Sequence, residues 1–203
     1  MIDADGEPLP QESLMRWIAL LLATACTPHL VSNDTGSDEW IAPDNDWGIQ
    51  APPIDLEGEG FSVGQVPHDF RLVDQHGQEV SLWQFYGSVI MLDISTMWCR
   101  PCQVIASEVT ETWHDYRDEG FIYLTILPED VEGNDPDDED LNAWADGFGI
   151  EAPVLGDDGT YAYAVEPNNL WPVLMLIDRD MVILADRIEP TDEAIRGAIE
   201  QSL

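Results

Sequence analysis

Two near-continuous apolar runs stand out along the chain, Val89 to Ile94 and Phe121 to Leu127. Runs of this length, bounded by polar residues, read as strands buried on both faces of a sheet. Upstream, Asp69 to Val73 and Glu79 to Leu82 alternate in polarity around Asp74-Gln75-His76-Gly77, which predicts a hairpin. Between the two runs, Ile105, Val109, Trp113 and Tyr116 recur at the period of one helix face, predicting a helix that ends near Gly120. A further helix is expected around Leu141 to Phe148. Val173 to Asp178 and Met181 to Asp186 read as strands joined at Asp178-Arg179-Asp180, and Thr191 to Ser202 reads as a closing helix capped by Thr191. The predicted order is hairpin, βαβ, helix, ββα.

The first sixty residues follow a different pattern. The longest apolar stretch in the chain, Trp17 to Ala25, has nine residues, less than half of the roughly 20 that a spanning helix needs. It fits the apolar core of an export signal preceded by Arg16, but Asp3, Asp5, Glu7 and Glu12 do not fit the positive region such a signal begins with. The expectation is therefore that translation starts at Met15. Leu22-Ala23-Thr24-Ala25-Cys26 resembles the lipobox of bacterial lipoproteins, with Ala23 where Leu is usual. That resemblance implies lipid attachment at Cys26, each buried methylene contributing about 0.8 kcal/mol to anchoring. Residues 27–60 hold four Pro, four Gly, eight acids and no base, and read as an acidic flexible tether whose Trp40, Ile41 and Trp47 could dock locally on the folded domain. The domains expected are thus 1–26, 27–60 and a folded domain over 61–203.

Charge narrows the function. The 203 residues carry 41 acids against 7 bases, a net of −34, and every base is Arg. Nucleic-acid binding needs clustered positive charge against phosphate, and an anionic membrane surface repels such a chain, so any membrane association is expected through the lipid anchor alone. The acidic stretch Glu129 to Asp140 reads as a solvated loop, or as a docking surface for a basic partner.

Cys99-Arg100-Pro101-Cys102 follows directly on the first buried strand. Two cysteines three apart at a strand-to-helix turn place the first thiol at a helix N-terminus, where unpaired N–H groups and the helix dipole favour the thiolate. Cys99 is then the nucleophile, and Cys102, one turn deeper, closes the intramolecular disulfide. Arg100 adds local positive charge. The other readings of the pair are inert thiols or half a zinc site, but His29, His68, His76 and His114 lack ligand-like spacing, so neither a metal nor a cofactor is expected.

Trp98-Cys99-Arg100-Pro101-Cys102 resembles the thioredoxin active-site motif. Val66-Pro67-His68-Asp69-Phe70-Arg71-Leu72, with Gly77 and Val80-Ser81-Leu82, resembles the redoxin subgroup, the AhpC/TSA and TlpA/ResA-like proteins. The resemblance spans Val63 to Leu203 and implies a thioredoxin fold, an α/β architecture with a central mixed sheet flanked by helices and an N-terminal hairpin. It also implies two further site residues. Asp93, six before Cys99, matches a buried carboxylate that accepts a proton from Cys102 through a water. Pro172, after Trp171, matches the cis-proline opposite the dithiol, with Val173 in place of the usual Thr.

The implied function is a monomeric thiol:disulfide oxidoreductase on the periplasmic side of a Gram-negative membrane, lipid-anchored, acting on protein thiols and disulfides. A basic partner such as apocytochrome c and an upstream electron donor are implied with it. The catalytic set is Cys99, Cys102, Asp93 and Pro172, supported by Trp98, Arg100, Pro101 and Trp171. The alternatives are a thiol peroxidase, against which Leu92 stands where peroxiredoxins carry Pro, and a non-catalytic acidic interaction domain. Copper-delivering relatives space their cysteines by three residues and carry a late histidine, which this chain lacks.

Overall fold

The two apolar runs lie side by side at the centre of a seven-stranded mixed sheet. The computed structural model describes residues 40–203; the expected export signal, the Met15 start and Cys26 lie outside them. Strand β1 (Arg71–Asp74) and β2 (Glu79–Ser81) form the hairpin, and β3 (Val89–Ile94) and β4 (Phe121–Leu127) are the buried pair. They are followed by β5 (Val154–Gly156), β6 (Val173–Ile177) and β7 (Ile183–Ala185), in the order β2-β1-β5-β4-β3-β6-β7. Pairs β3–β4 and β4–β5 are parallel and the remainder antiparallel.

Alternation in β3 and β4 builds two cores. Val89, Met91, Phe121 and Tyr123 face a layer made by α1 (Arg100–Ala106), α2 (Val109–Tyr116), α3 (Asp138–Phe148) and α5 (Asp192–Glu200). Ile90, Leu92, Ile94, Ile122, Leu124 and Ile126 face α4 (Thr160–Val165), the 3₁₀ turn Leu82–Gln84 and the N-terminal segment through Trp47, Leu56 and Phe61. Burial on both faces is why these two strands read as unbroken apolar runs.

The single helix expected after the dithiol is two helices. Ser107 Oγ donates to the Val104 carbonyl at 2.7 Å, and the Glu108 N–H takes the Ile105 carbonyl at 2.8 Å, a tighter turn than the α ladder. The face of Ile105, Val109 and Tyr116 nevertheless stays buried, and the chain leaves at Gly120 in the left-handed region, φ 81°. Thr191 caps α5 as expected, its Oγ1 accepting from Ala194 N at 3.3 Å.

Two elements were not foreseen, β5 and α4. Both are short, and both are held by distant or flanking side chains. Val154 exchanges hydrogen bonds with Gln75 across the sheet, and α4 begins at Gly159, with the Asp157 carboxylate accepting from Tyr161 N and Ala162 N at 3.2 and 2.7 Å.

Residues 40–60, expected as the end of a flexible tether, lie on the domain. The Trp40 indole donates to Ser81 Oγ at 3.0 Å and the Trp47 indole to the buried Asp74 carboxylate at 2.6 Å, while Asn45 reaches Glu79 O and Gln84. The cause is the apolar face opposite α1, which α4 alone leaves open and which Trp47, Leu56 and Phe61 help to cover. The same N-terminal region closes the sheet edges. Asn45 occupies the Glu79 carbonyl of β2, and Gly64 and Gln65 pair with Ile183 of β7.

Candidate active site

Strand β3 delivers the chain to the C-terminal edge of the sheet, where Ser95 N is tied to the Ile126 carbonyl at 3.0 Å and Met97 N to the Glu129 carbonyl at 3.1 Å. Cys99 is the N-cap of α1 in extended conformation, and Pro101 sits in the first turn, where its missing N–H costs nothing. The Cys99 Sγ accepts from Cys102 N at 3.4 Å, a donor aimed at the sulfur that favours its thiolate once the pair is reduced. Here the two sulfurs are joined as a disulfide. Cys99 is 5% exposed and Cys102 fully buried. Among the described residues, no group of three or more His, Cys, Asp or Glu is placed to hold a metal ion.

The Trp171–Pro172 peptide is cis, and the Trp171 carbonyl oxygen lies 3.7 Å from Cys99 Sγ. The loop before it is held by a residue sequence reasoning missed. Glu166, fully buried at the end of α4, accepts from Asn168 N at 2.7 Å and pairs with Arg187 beyond β7 at 2.5 Å. Burial works to raise this carboxyl, but Arg187 and the Asn168 N–H outweigh it and hold it below its ordinary value.

Asp93 is buried beneath this layer, in register with Thr125 of β4 and Leu174 of β6. Ser95 donates to its Oδ1 at 2.6 Å and Tyr123 to its Oδ2 at 3.5 Å. Burial pushes its carboxyl up to about 7 against the lowering effect of those two donors. It is therefore poised between protonated and ionised near neutral pH.

The rim of the site is aromatic. Trp98, 48% exposed, donates its indole N–H to Glu129 Oε2 at 2.5 Å, and Tyr163 of α4 donates its hydroxyl to the other oxygen of the same carboxylate. The Tyr163 ring lies 6.0 Å from that of Trp171. Glu129 was read as the start of an acidic loop, and only its position just past β4 hinted otherwise. Much of that stretch is engaged locally. Asp130 accepts from Glu132 N and Asn134 N, while Asp137 and Asp140 form the capping box of α3. Arg100 is exposed beside Cys99.

The structure thus gathers Trp98, Cys99, Cys102, Trp171 and Pro172 around one disulfide with Asp93 buried in the layer below, and leaves Cys26 outside the described residues. The chain is similar to several known proteins. The profile of the AhpC/TSA family matches residues 63–185. The thiol-disulfide oxidoreductase ResA of Bacillus anthracis is 24% identical over 146 residues, covering 70% of this chain and 80% of that protein. ResA of Geobacillus kaustophilus is 28% identical over 127 residues, 61% of this chain and 68% of that one. A putative thiol:disulfide interchange protein DsbE from Chlorobium tepidum superposes with a TM-score of 0.58 at 24% identity, over 70% of this chain and 96% of its own. The thioredoxin domain of an oxidoreductase from Bacteroides vulgatus gives 0.59 at 19% identity, over 70% and 99%. The fold is therefore the thioredoxin fold.

Proposed function

Because the chain belongs to the AhpC/TSA family, we propose that it is a thiol:disulfide oxidoreductase in which Cys99 attacks a substrate disulfide and Cys102 resolves the mixed disulfide. The observation that carries this reading is the closed Cys99–Cys102 pair at the head of α1, with a backbone donor on the outer sulfur and the cis-Pro172 loop against it. Relatives bearing the name thiol-disulfide oxidoreductase support it.

Each residue has a part in the exchange. The Cys99 thiolate displaces one sulfur of the substrate, which leaves as a thiolate. Cys102 then gives its proton to Asp93 through a water and attacks Cys99, closing the disulfide and freeing the second substrate thiol. A carboxyl near 7 suits this transfer, since it accepts and returns a proton at neutral pH. The Trp171 carbonyl and Pro172 offer an extended edge against which a substrate chain lies beside Cys99, and Trp98 walls that edge.

Export and anchoring complete the proposal. Residues 16–26 support secretion with lipid attachment at Cys26, placing a monomeric domain on the periplasmic side of a Gram-negative membrane. There it meets protein disulfides, a basic partner such as apocytochrome c, and an upstream electron donor.

The reduction potential of the Cys99–Cys102 couple, measured on the full chain in graded glutathione or dithiothreitol buffers with thiol trapping, tests the reading. A value near about −270 mV makes it a reductase, and one near about −120 mV an oxidant of exported proteins. Absence of a reversible two-electron couple overturns dithiol exchange. Peroxide consumption that needs Cys99 but survives loss of Cys102 assigns a peroxidase instead.

A further inference from the structure

Behind the dithiol, between α1, α2 and the head of α5, lies a cavity of about 120 Å³. Glu108 at the helix break, Thr112 of α2, and Thr191 and Asp192 at the head of α5 contribute to its wall, and Tyr123 of β4 is part of its lining. Tyr123 is also the residue whose hydroxyl reaches Asp93 Oδ2 at 3.5 Å. One side chain therefore touches both the buried carboxylate and the cavity. Thr125, the register partner of Asp93 on β4, and Thr96 each bury a hydroxyl with no protein partner. Buried hydroxyls of this kind are ordinarily satisfied by ordered water, and the cavity, which those two residues do not line, separately has room for several waters.

A substrate lying along Trp171 and Trp98 covers the front of the site. Strand β3 is buried along its whole length, so a proton on Asp93 has no route to solvent along the sheet. Whatever Asp93 does not return to Cys102 must still reach solvent.

We infer that Tyr123 relays the proton between Asp93 and water in this cavity, so that the site exchanges protons from the side while a substrate covers its front. This rests on the thiol–disulfide reading given above. In the resolving step the Cys102 sulfur bonds to Cys99, the substrate sulfur leaves with the bonding electrons, and the Cys102 proton passes to Asp93. Neutral Asp93 then hands a proton to the Tyr123 oxygen as the phenol gives its own to a cavity water, and the hydroxyl turns back to the carboxylate. No phenolate is formed, which accords with a phenol held well above its ordinary value by burial and by Asp93. The groups that face Asp93 are Tyr123 from β4 and Ser95 beyond the end of β3. The ionisable groups facing the cavity are Glu108 and Asp192.

The test is proton release to solvent, followed with a pH-indicator dye during single-turnover closure of the Cys99–Cys102 bond in the full-length protein, started with excess peptide disulfide and read in dilute buffer and again with added imidazole. Tyr123→Phe keeps the ring and removes the relay oxygen. Its proton release is expected to lag behind closure, about tenfold slower than in wild type in dilute buffer, and to recover with imidazole, a small proton carrier that replaces the relay. Thr112→Leu, which fills the cavity without touching Asp93, is expected to show the same imidazole-dependent recovery. A Tyr123→Phe proton-release rate equal to wild type in dilute buffer, or a loss that imidazole does not restore, overturns the relay. A wild-type protein that forms no Cys99–Cys102 bond overturns the exchange reading, and the relay with it.

Discussion

Replacing Asp93 by Asn turns the buried carboxyl into a measurable pH dependence of stability. The folded protein holds this group near pH 7, against 3.8 for an exposed aspartate. Between those values the unfolded chain is ionised and the folded one protonated, so wild-type stability falls as pH rises from about 4 and levels off above about 7. The gap is about three pH units, each worth about 1.4 kcal/mol, so ionised Asp93 costs about 4 kcal/mol in the fold. Asn keeps the shape, its carbonyl oxygen accepting from one of the Ser95 and Tyr123 hydroxyls and its amide donating to the other, but it does not ionise. Asp93→Asn is therefore expected to gain about 3 kcal/mol on wild type between pH 5 and pH 8. Urea unfolding of both oxidised proteins at the two pH values measures it, because the remaining carboxylates cancel in the difference. A wild-type-to-variant difference that is the same at both pH values would refute the reasoning. The same variant should slow Cys102 attack, so that stability rises as exchange falls.

Other perturbations follow from the same contacts. Cys102→Ser should accumulate a mixed disulfide with a peptide substrate, visible as a mass shift, and Cys99→Ser should form none. Glu129→Gln weakens the acceptor shared by Trp98 and Tyr163; an exchange rate a few-fold lower and a shifted Trp98 emission are expected, with a stability loss of about 1 kcal/mol. Arg187→Ala leaves the buried Glu166 carboxylate unpaired and should cost about 1–2 kcal/mol at pH 7, discounted because Arg187 is half-exposed. That pair stabilises above the unfolded value of 4.5 and is lost as pH falls through the lowered folded value, so the variant and wild type should converge in acid urea titrations. Trp47→Ala strips the indole donor from buried Asp74 and opens space beside Trp113; a loss of about 3 kcal/mol and faster amide exchange in β1 and β2 should follow.

What the sequence revealed, and what it withheld, divides along a physical line. Strands β3 and β4 were legible to the residue, since burial on both faces leaves an apolar run bounded by polar residues. Cys99-x-x-Cys102 and Pro172 carried their placement in short local motifs, and the Thr191 cap in one residue type. The break at Ser107 and Glu108 was hidden because the apolar period continues through it and only a side-chain hydrogen bond marks it. Strand β5 and helix α4 were too short for periodicity to detect, and their stabilising partners, Gln75 and Asp157, lie outside them. Glu129 and Glu166 were lost among many acids. Composition marks them all as surface charge, and only the fold turns these two inward, one to an aromatic rim and one to an arginine. Residues 40–60 read as tether for the same reason, since Trp40 and Trp47 sit in a polar, proline-rich setting.

The covered sheet edges bear on how such a protein lets go of what it binds. Partly unfolded chains, the natural carriers of wrong disulfides, readily add as an extra strand wherever a sheet offers free N–H and C=O groups. Here Asn45 occupies a β2 carbonyl, and Gly64 and Gln65 pair with Ile183 of β7, so part of each edge is already taken up by the chain itself. In the exchange proposed above, a client held chiefly at its sulfur and the few residues around it would be released as the mixed disulfide is resolved.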